Sequence, residues 1–184
     1  MSSAIRWRIL TLQVILTLVF AAGAAFAFYE SNFVSGYVHD QLAAQKITFP
    51  AAGTAALTAL PAADRAAMDK YAGQLMTTGD QAQTYANHFI NVHLSEIGGG
   101  KTYAQFPASG LTAAQQATKA TLFQGETLRG LLLNAWGWSQ VASYVFYGGI
   151  VLSLAALATL AALVFEIFAA NRRPQSTARQ AIAA

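Results

Sequence analysis

Three side chains in the middle of the sequence have the chemistry to ligate a metal ion or to move a proton. His88, His93 and Glu96 lie in a stretch predicted to form a single helix. Ring nitrogens and carboxylate oxygens are common ligands of first-row transition metals, and ligands on one helix favour spacings of three or four residues. His93 and Glu96 meet that condition, but His88 and His93 are five residues apart and are turned about 140° from each other. Packing or hydrogen bonding is therefore the favoured role of both histidines.

A second segment resembles the end of a phosphate-binding loop. Gly100, Lys101 and Thr102 match the last three positions of the pattern G-x-x-x-x-G-K-T, but Ser95 stands where its first glycine is required. The segment also follows a predicted helix, whereas a phosphate-binding loop follows a strand. We interpret the glycines as a helix stop and expect no nucleotide.

Other common catalytic arrangements are missing from the sequence. The chain has no cysteine, which excludes a thiol nucleophile and thiolate-bound zinc or iron–sulfur centres. It has no G-x-S-x-G motif, and its acidic residues form no evident carboxylate pair. We expect a protein that is not an enzyme and that holds no cofactor.

The composition points to a membrane. The 184 residues are 55% hydrophobic and only 10% charged, whereas soluble domains contain about 25% charged residues. Residues 9–28 carry no charge, and a second uncharged run begins at Val141 and ends at Phe165. A helix of about 20 residues crosses the hydrocarbon core of a bilayer. We therefore predict transmembrane helices at 9–28 and 141–168.

The basic residues near the two spans predict the orientation. Lys and Arg beside a span are retained on the cytoplasmic side, whereas residues 29–140 hold six basic against seven acidic residues. We predict cytoplasmic ends at 1–8 and 169–184 and an extracytoplasmic segment at 29–140. The net charge of +3 is then a property of the flanks, so no nucleic acid is expected as a partner. The arginines concerned are Arg6, Arg8, Arg172, Arg173 and Arg179.

A cleaved signal peptide is the alternative interpretation of the first span. Ala25-Phe26-Ala27 fits a small-x-small cleavage site after a basic start. The apolar run is longer than the core of a usual signal peptide, and this favours an uncleaved anchor.

Periodicity predicts a mostly helical segment between the spans. The first helix continues to about Gln45, residues 46–50 are extended, and residues 51–60 form a loop. A helix is predicted from Pro61 to Met76. Together with the helices described in the next paragraph, these elements predict an all-α membrane protein. Its two transmembrane helices extend outside the bilayer, and a small extracytoplasmic helical domain lies between them.

The second half of the segment has clearer boundaries. Asp80 is the expected N-cap of a helix over 81–97, with Tyr85, Phe89, Val92 and Ile97 on one stripe. The glycines at 98–100 end it, and residues 101–106 are extended. Thr112 is the expected N-cap of a last helix that runs without a break into the second span.

Several residues near the second span are predicted to have packing or interface roles. Glu126 and Arg129 have the spacing of an ion pair on one helix, and Arg129 is a candidate for docking the outer helices near the lipid surface. The aromatic residues of this region suit the headgroup level of a bilayer, and its paired glycines suit close helix packing. These residues are Trp136, Trp138, Tyr144, Tyr147, Gly148 and Gly149.

The sequence resembles a family of uncharacterised actinobacterial two-span membrane proteins with an extracytoplasmic helical domain. The motifs that carry the resemblance are VHDQLAAQKITFP at 38–50, YAGQ at 71–74, YANHFI at 85–90 followed by HL at 93–94, GGKTY at 99–103 and GETLRGLLLNA at 125–135. The resemblance implies location and lineage, and it implies no activity and no functional residues.

These observations leave three hypotheses about function. The first is a non-catalytic membrane protein that serves as an accessory or assembly subunit, with the bilayer and either a membrane-protein partner or a second copy as its contacts. The second is an extracytoplasmic binding module for a lipid, a quinone-like molecule or a cell-wall ligand. The third is a metal-dependent enzyme, in which His39, Asp40 or Glu126 completes the set of ligands.

Overall fold

A computed structural model describes residues 3–171, and in that range every named secondary-structure element is helical. The expectation of an all-helical chain is confirmed. The predicted tail beyond residue 171, with its three arginines, lies outside the described residues. The elements are α1 (Ser3–Ala44), α2 (Ala55–Thr58), α3 (Ala62–Asp69), α4 (Gly79–Tyr85), a π-helical turn (Ala86–Ile90), α5 (Asn91–Ile97), a 3-10 turn (Tyr103–Gln105) and α6 (Ala113–Asn171).

Two of these helices, α1 and α6, are long and apolar enough to cross a membrane. They contain the two predicted spans, and α6 runs without a break through Gly125 and Gly130 as expected. The described residues fall into two compact units. We call residues 3–30 with 144–171 the hairpin unit, and Ser31–Ser143 the central unit.

The hairpin unit consists of two antiparallel helix segments. The hydroxyl oxygen of Thr17 lies within hydrogen-bond distance of two oxygens, the carbonyl of Gln13 at 2.8 Å and the hydroxyl of Thr159 at 2.9 Å. Nearer the other end, Phe28 packs against Gly149. Small residues let two backbones approach closely, and hydroxyl bonds between helices add to the packing where no water competes.

The central unit has its own hydrophobic core. The largest fully buried side chains come from the chain between α1 and α4 and from α6. They pack with Val38 and Leu42 of α1. A single core therefore fixes the short helices against both long ones. These buried residues are Phe49, Leu57, Met68, Met76 and Leu122.

The first half of the central unit departs from the predicted helices. A short helix, α2, lies inside the predicted loop, and α3 ends at Asp69 instead of continuing to Met76. Beyond it, Gly73 has a φ of +71°, and Met76 donates a backbone hydrogen bond of 2.8 Å to Ile47. The predicted extended stretch at 46–50 is confirmed at Thr48, which pairs antiparallel with Leu75. This pairing requires extended chain where the helix was predicted.

The second half also differs in its first residues. The N-cap is Thr78, not Asp80, because Thr78 and Gln81 form a reciprocal capping box. The π-helical turn that follows inserts one residue into the helix. Ile97, which was predicted to lie on the apolar stripe, is 47% exposed.

The remaining boundaries are close to those predicted. The helix ends at Ile97, before the glycines, and Thr112 caps α6 as expected, since its hydroxyl accepts a hydrogen bond from the backbone of Gln115. In the stretch predicted to be extended, the 3-10 turn at Tyr103–Gln105 is capped by Thr102.

Candidate functional site

The two candidate histidines make separate hydrogen bonds. His88 Nδ1 lies 2.7 Å from Asp64 Oδ1, and both side chains are half-buried. Asp64 is in the first turn of α3, so this bond joins α3 to the π-helical turn. The Nδ1–H of His93 donates to the carbonyl of Phe89 at 2.7 Å, one turn earlier in the helix, and Glu96 is exposed. Both histidines therefore have the hydrogen-bonding role that their spacing favoured.

The metal hypothesis finds no matching geometry in the described part of the chain. No group of three or more His, Asp or Glu side chains there is placed to hold a metal ion. His39 instead lies 3.1 Å from its sequence neighbour Asp40, and both are exposed. Neither His39 nor Asp40 therefore supplies the additional metal ligand that the hypothesis requires.

The predicted ion pair on α6 is present and extends further than expected. Arg129 Nη1 donates to Glu126 Oε2 at 3.3 Å, and Nη2 donates to Asn87 Oδ1 at 3.2 Å. A local pair of this kind contributes a few tenths of a kcal/mol. The bond to Asn87 is the structurally important one, because it joins α6 to the π-helical turn 42 residues away in sequence.

Two glycines allow the central helices to approach α6 closely. A Cβ on Gly125 would overlap the side chain of Leu94 on α5, and a Cβ on Gly79 would overlap Ser139 of α6. Leu94 is buried, so it has little room to move aside. The sequence analysis predicted only that the helix continues without a break through Gly125. A glycine within an unbroken helical pattern is the signal that indicates such an approach.

An aromatic cluster surrounds Phe49 in the core of the central unit. The ring of Phe49 lies 5.2 Å from that of Tyr85 and 5.4 Å from that of Tyr71. Phe89 continues the cluster at 4.8 Å from Tyr85. Burial raises the pKa of the Tyr85 phenol above its usual value of 10, because the apolar surroundings disfavour the phenolate.

The predicted aromatic residues near the second span differ in exposure. Trp136 is half-buried in the central unit, whereas Trp138 projects from it. Tyr144 and Tyr147 are highly exposed in the hairpin unit. Exposed rings with a polar edge are what a headgroup layer or a protein partner accommodates.

The predicted glycine pair has two different environments. Gly149 lies against the ring of Phe28, which a Cβ would approach to 2.9 Å, while nothing lies within 4 Å of a Cβ on Gly148. Within the hairpin unit, Gly149 is therefore the packing residue of the pair, and Gly148 faces open space.

One face of α6 in the central unit exposes three large apolar side chains. Phe123, Leu131 and Trp138 are 56%, 65% and 53% exposed, and they lie within an arc of about 80° at about 100° per residue. The opposite side of the helix carries the buried Leu122 and Leu132. We call the three exposed residues the outer face of α6. Exposed Thr127 and Asn134 lie in the same arc and separate the three apolar side chains. Large apolar side chains grouped on one exposed face are typical of interaction sites.

No family model matches the chain, and no curated protein or solved structure is significantly similar to it. The resemblance to actinobacterial two-span proteins therefore stays a prediction.

Proposed function

We propose that this chain is a non-catalytic two-pass membrane protein that acts as an accessory or assembly subunit of a larger membrane complex. The outer face of α6 is the observation that carries the proposal. Its three side chains lie outside the core of the central unit. Burial of their apolar surface against a partner is favourable, because it removes that surface from water.

The headgroup layer can accommodate Trp138, which is about 5 Å from Val141, but the bilayer does not account for the other two residues of this surface. The helix between Leu131 and Val141, where the second span is predicted to begin, is about 15 Å long, and that between Phe123 and Val141 is about 27 Å long. The headgroup layer adds only about 5–8 Å on each side of the hydrocarbon core. Leu131 and Phe123 therefore lie beyond the lipid in an upright helix, and protein is the cover that suits them.

The proposed orientation places both ends in the cytoplasm and residues 29–140 outside. It is supported by the arginines beside the spans and by the balance of six basic and seven acidic residues between them. A partner that covers the outer face of α6 would then be a membrane protein with its own extracytoplasmic surface.

Cross-linking in the native membrane tests the proposal. A photoreactive benzoylphenylalanine replaces Leu131 in the full chain, and Thr58, which is exposed on α2, is the matched control position. We expect a discrete adduct with a different membrane protein from position 131 and none from position 58. Adducts of twice the chain's own mass, or adducts with lipid alone, would contradict an accessory role in a larger complex.

A second candidate function is supported by a groove in the hairpin unit. The groove has a volume of about 480 Å³, and its lining includes Thr17, Ala24, Phe28, Ser153 and Leu157. Its size falls within the range of small-molecule sites, and its wall is almost entirely apolar, because the hydroxyls of Thr17 and Ser153 lie within hydrogen-bond distance of backbone carbonyls in their own helices. This chemistry fits a lipid or a quinone-like molecule. Native mass spectrometry of protein released from gentle detergent should then show a bound mass that Ala24→Leu removes, and bare wild-type protein would refute this candidate.

A further inference from the structure

A surface cleft of about 430 Å³ lies in the central unit where the chain before α6 meets the first turns of that helix. Its lining includes Tyr103, Ser109, Leu111, Lys119 and Phe123. We call it the Tyr103–Phe123 cleft, because these two rings form its aromatic wall with centroids 5.5 Å apart. Both rings are partly exposed, so an apolar side chain of a ligand can pack against them.

A single cation is held at the edge of this aromatic wall. The ammonium nitrogen of Lys119 lies 5.3 Å from the centroid of the Tyr103 ring and donates a hydrogen bond of 3.0 Å to the carbonyl of Pro107. These two contacts restrict the position of a side chain that is otherwise flexible. An ammonium group has three N–H donors, and the other two are free of these contacts.

No acidic residue lies in the stretch of chain that forms the cleft; Glu96 and Glu126 border this stretch, and Glu126 is paired with Arg129. Residues 97–125 contain Lys101 and Lys119 and no Asp or Glu, whereas the remainder of 29–140 holds four basic against seven acidic residues. Among the described residues, the ion pairs within 4 Å involve neither lysine. The first turn of α6 also contains no acidic residue, so the positive end of its helix dipole adds to the same field.

We propose that the Tyr103–Phe123 cleft binds an acidic peptide segment of the partner, with an apolar side chain against the two rings and a carboxylate beside Lys119. The inference rests on the proposed function, since it names the chemistry of the partner at a site next to the outer face of α6. An aromatic wall with a cation at its edge matches alternating apolar and acidic side chains.

The other anionic ligands fit less well. The helix between Lys119 and Val141 is about 33 Å long, which places the cleft beyond lipid headgroups. A glycan needs several hydrogen-bonding groups, but Gln116 already donates to the carbonyl of Leu111 at 3.4 Å. The cleft therefore offers more to a peptide with apolar side chains than to a sugar polymer.

The test uses the full chain in its native membrane with the photoreactive residue at Ser109. The cross-linked segment is identified by mass spectrometry, and we expect a stretch of a partner protein that is net negative and contains a large apolar side chain. Lys119→Gln should reduce the adduct yield about threefold, because glutamine is polar but lacks the charge. Lys70→Gln, at an exposed lysine outside the cleft, is the matched control and should leave the yield unchanged.

Three results would overturn the inference. They are a neutral or basic peptide segment, a glycan adduct, and an adduct yield that Lys119→Gln leaves unchanged. If position 131 gives a protein adduct and position 109 gives none, the proposed function stands and the cleft has a different role. If position 131 fails as well, the proposed function fails with it, so the two probes separate the two claims.

Discussion

The guanidinium of Arg129 donates a hydrogen bond of 3.2 Å to the side-chain oxygen of Asn87, and this bond joins α6 to the π-helical turn. The same guanidinium reaches Glu126 at 3.3 Å. Its Nε is buried and has no hydrogen-bond partner among the described residues. The position of Arg129 is therefore fixed by the two hydrogen bonds at the end of its side chain. Loss of either one leaves a partly buried positive charge with fewer hydrogen-bond partners.

A double-mutant cycle between Arg129 and Asn87 measures this connection. We expect Arg129→Ala and Asn87→Ala each to lower the free energy of opening of residues 79–97, with a coupling energy of about 1 kcal/mol. Hydrogen exchange of the full chain in detergent reads this local stability. Glu126→Gln is the control and should cost only a few tenths of a kcal/mol. Strictly additive effects of the two substitutions would show that the bond contributes nothing.

The glycines of α6 provide a matched pair of positions on one helix. Gly125→Ala should destabilise the central unit by about 1–3 kcal/mol, because the new methyl group overlaps the buried Leu94. Gly130→Ala should stabilise it by up to about 1 kcal/mol, because nothing lies within 4 Å of its Cβ and alanine favours a helix. Thermal unfolding followed by circular dichroism compares the two. Equal shifts of the same sign would mean that Gly125 does not mark a close approach.

Local sequence signals predicted the parts of this fold that depend on neighbouring residues. The two apolar runs, the glycine stop after Ile97 and the cap at Thr112 are all of this kind, as is the Glu126–Arg129 pair. The pairing of Thr48 with Leu75 was missed, because it depends on burying Phe49 in a core built from distant segments. Periodicity cannot reveal such pairing.

The candidate site was predictable to the same degree. The i, i+3 spacing predicted that Arg129 pairs with Glu126, but it could not predict the hydrogen bond to Asn87. Nothing in the sequence near His88 predicted its hydrogen bond with Asp64. The π-helical turn at Ala86–Ile90 also lacks a local signal, since it adds a residue without a proline or glycine. Contacts between elements require the three-dimensional arrangement.

The absence of cysteine from the sequence makes orientation directly measurable. Each introduced cysteine is the only thiol, so Ser95→Cys, on the exposed surface of α5, and a cysteine added after Ala184 can be labelled separately. In intact cells, a membrane-impermeant maleimide should modify position 95 and should reach the added cysteine only after the cells are opened. Labelling in the reverse order would overturn the proposed orientation. Labelling of both in intact cells would place position 95 and the C-terminal end on the same side, and would contradict a second span between them.

Tyr85 predicts how the central unit responds to alkaline pH. Its raised pKa means that the folded chain keeps the phenol neutral where the unfolded chain ionises. The contribution of Tyr85 to the stability of the fold is fully present below pH 10, the usual pKa of a tyrosine. It is lost as the pH rises from 10 through the raised pKa of the folded state. Tyr85→Phe should therefore reduce the loss of stability above pH 10, measured by hydrogen exchange corrected for its intrinsic pH dependence. Tyr37→Phe, at an exposed position of α1, is the control. If Tyr85→Phe loses as much stability above pH 10 as the wild type does, other groups cause the loss and Tyr85 does not.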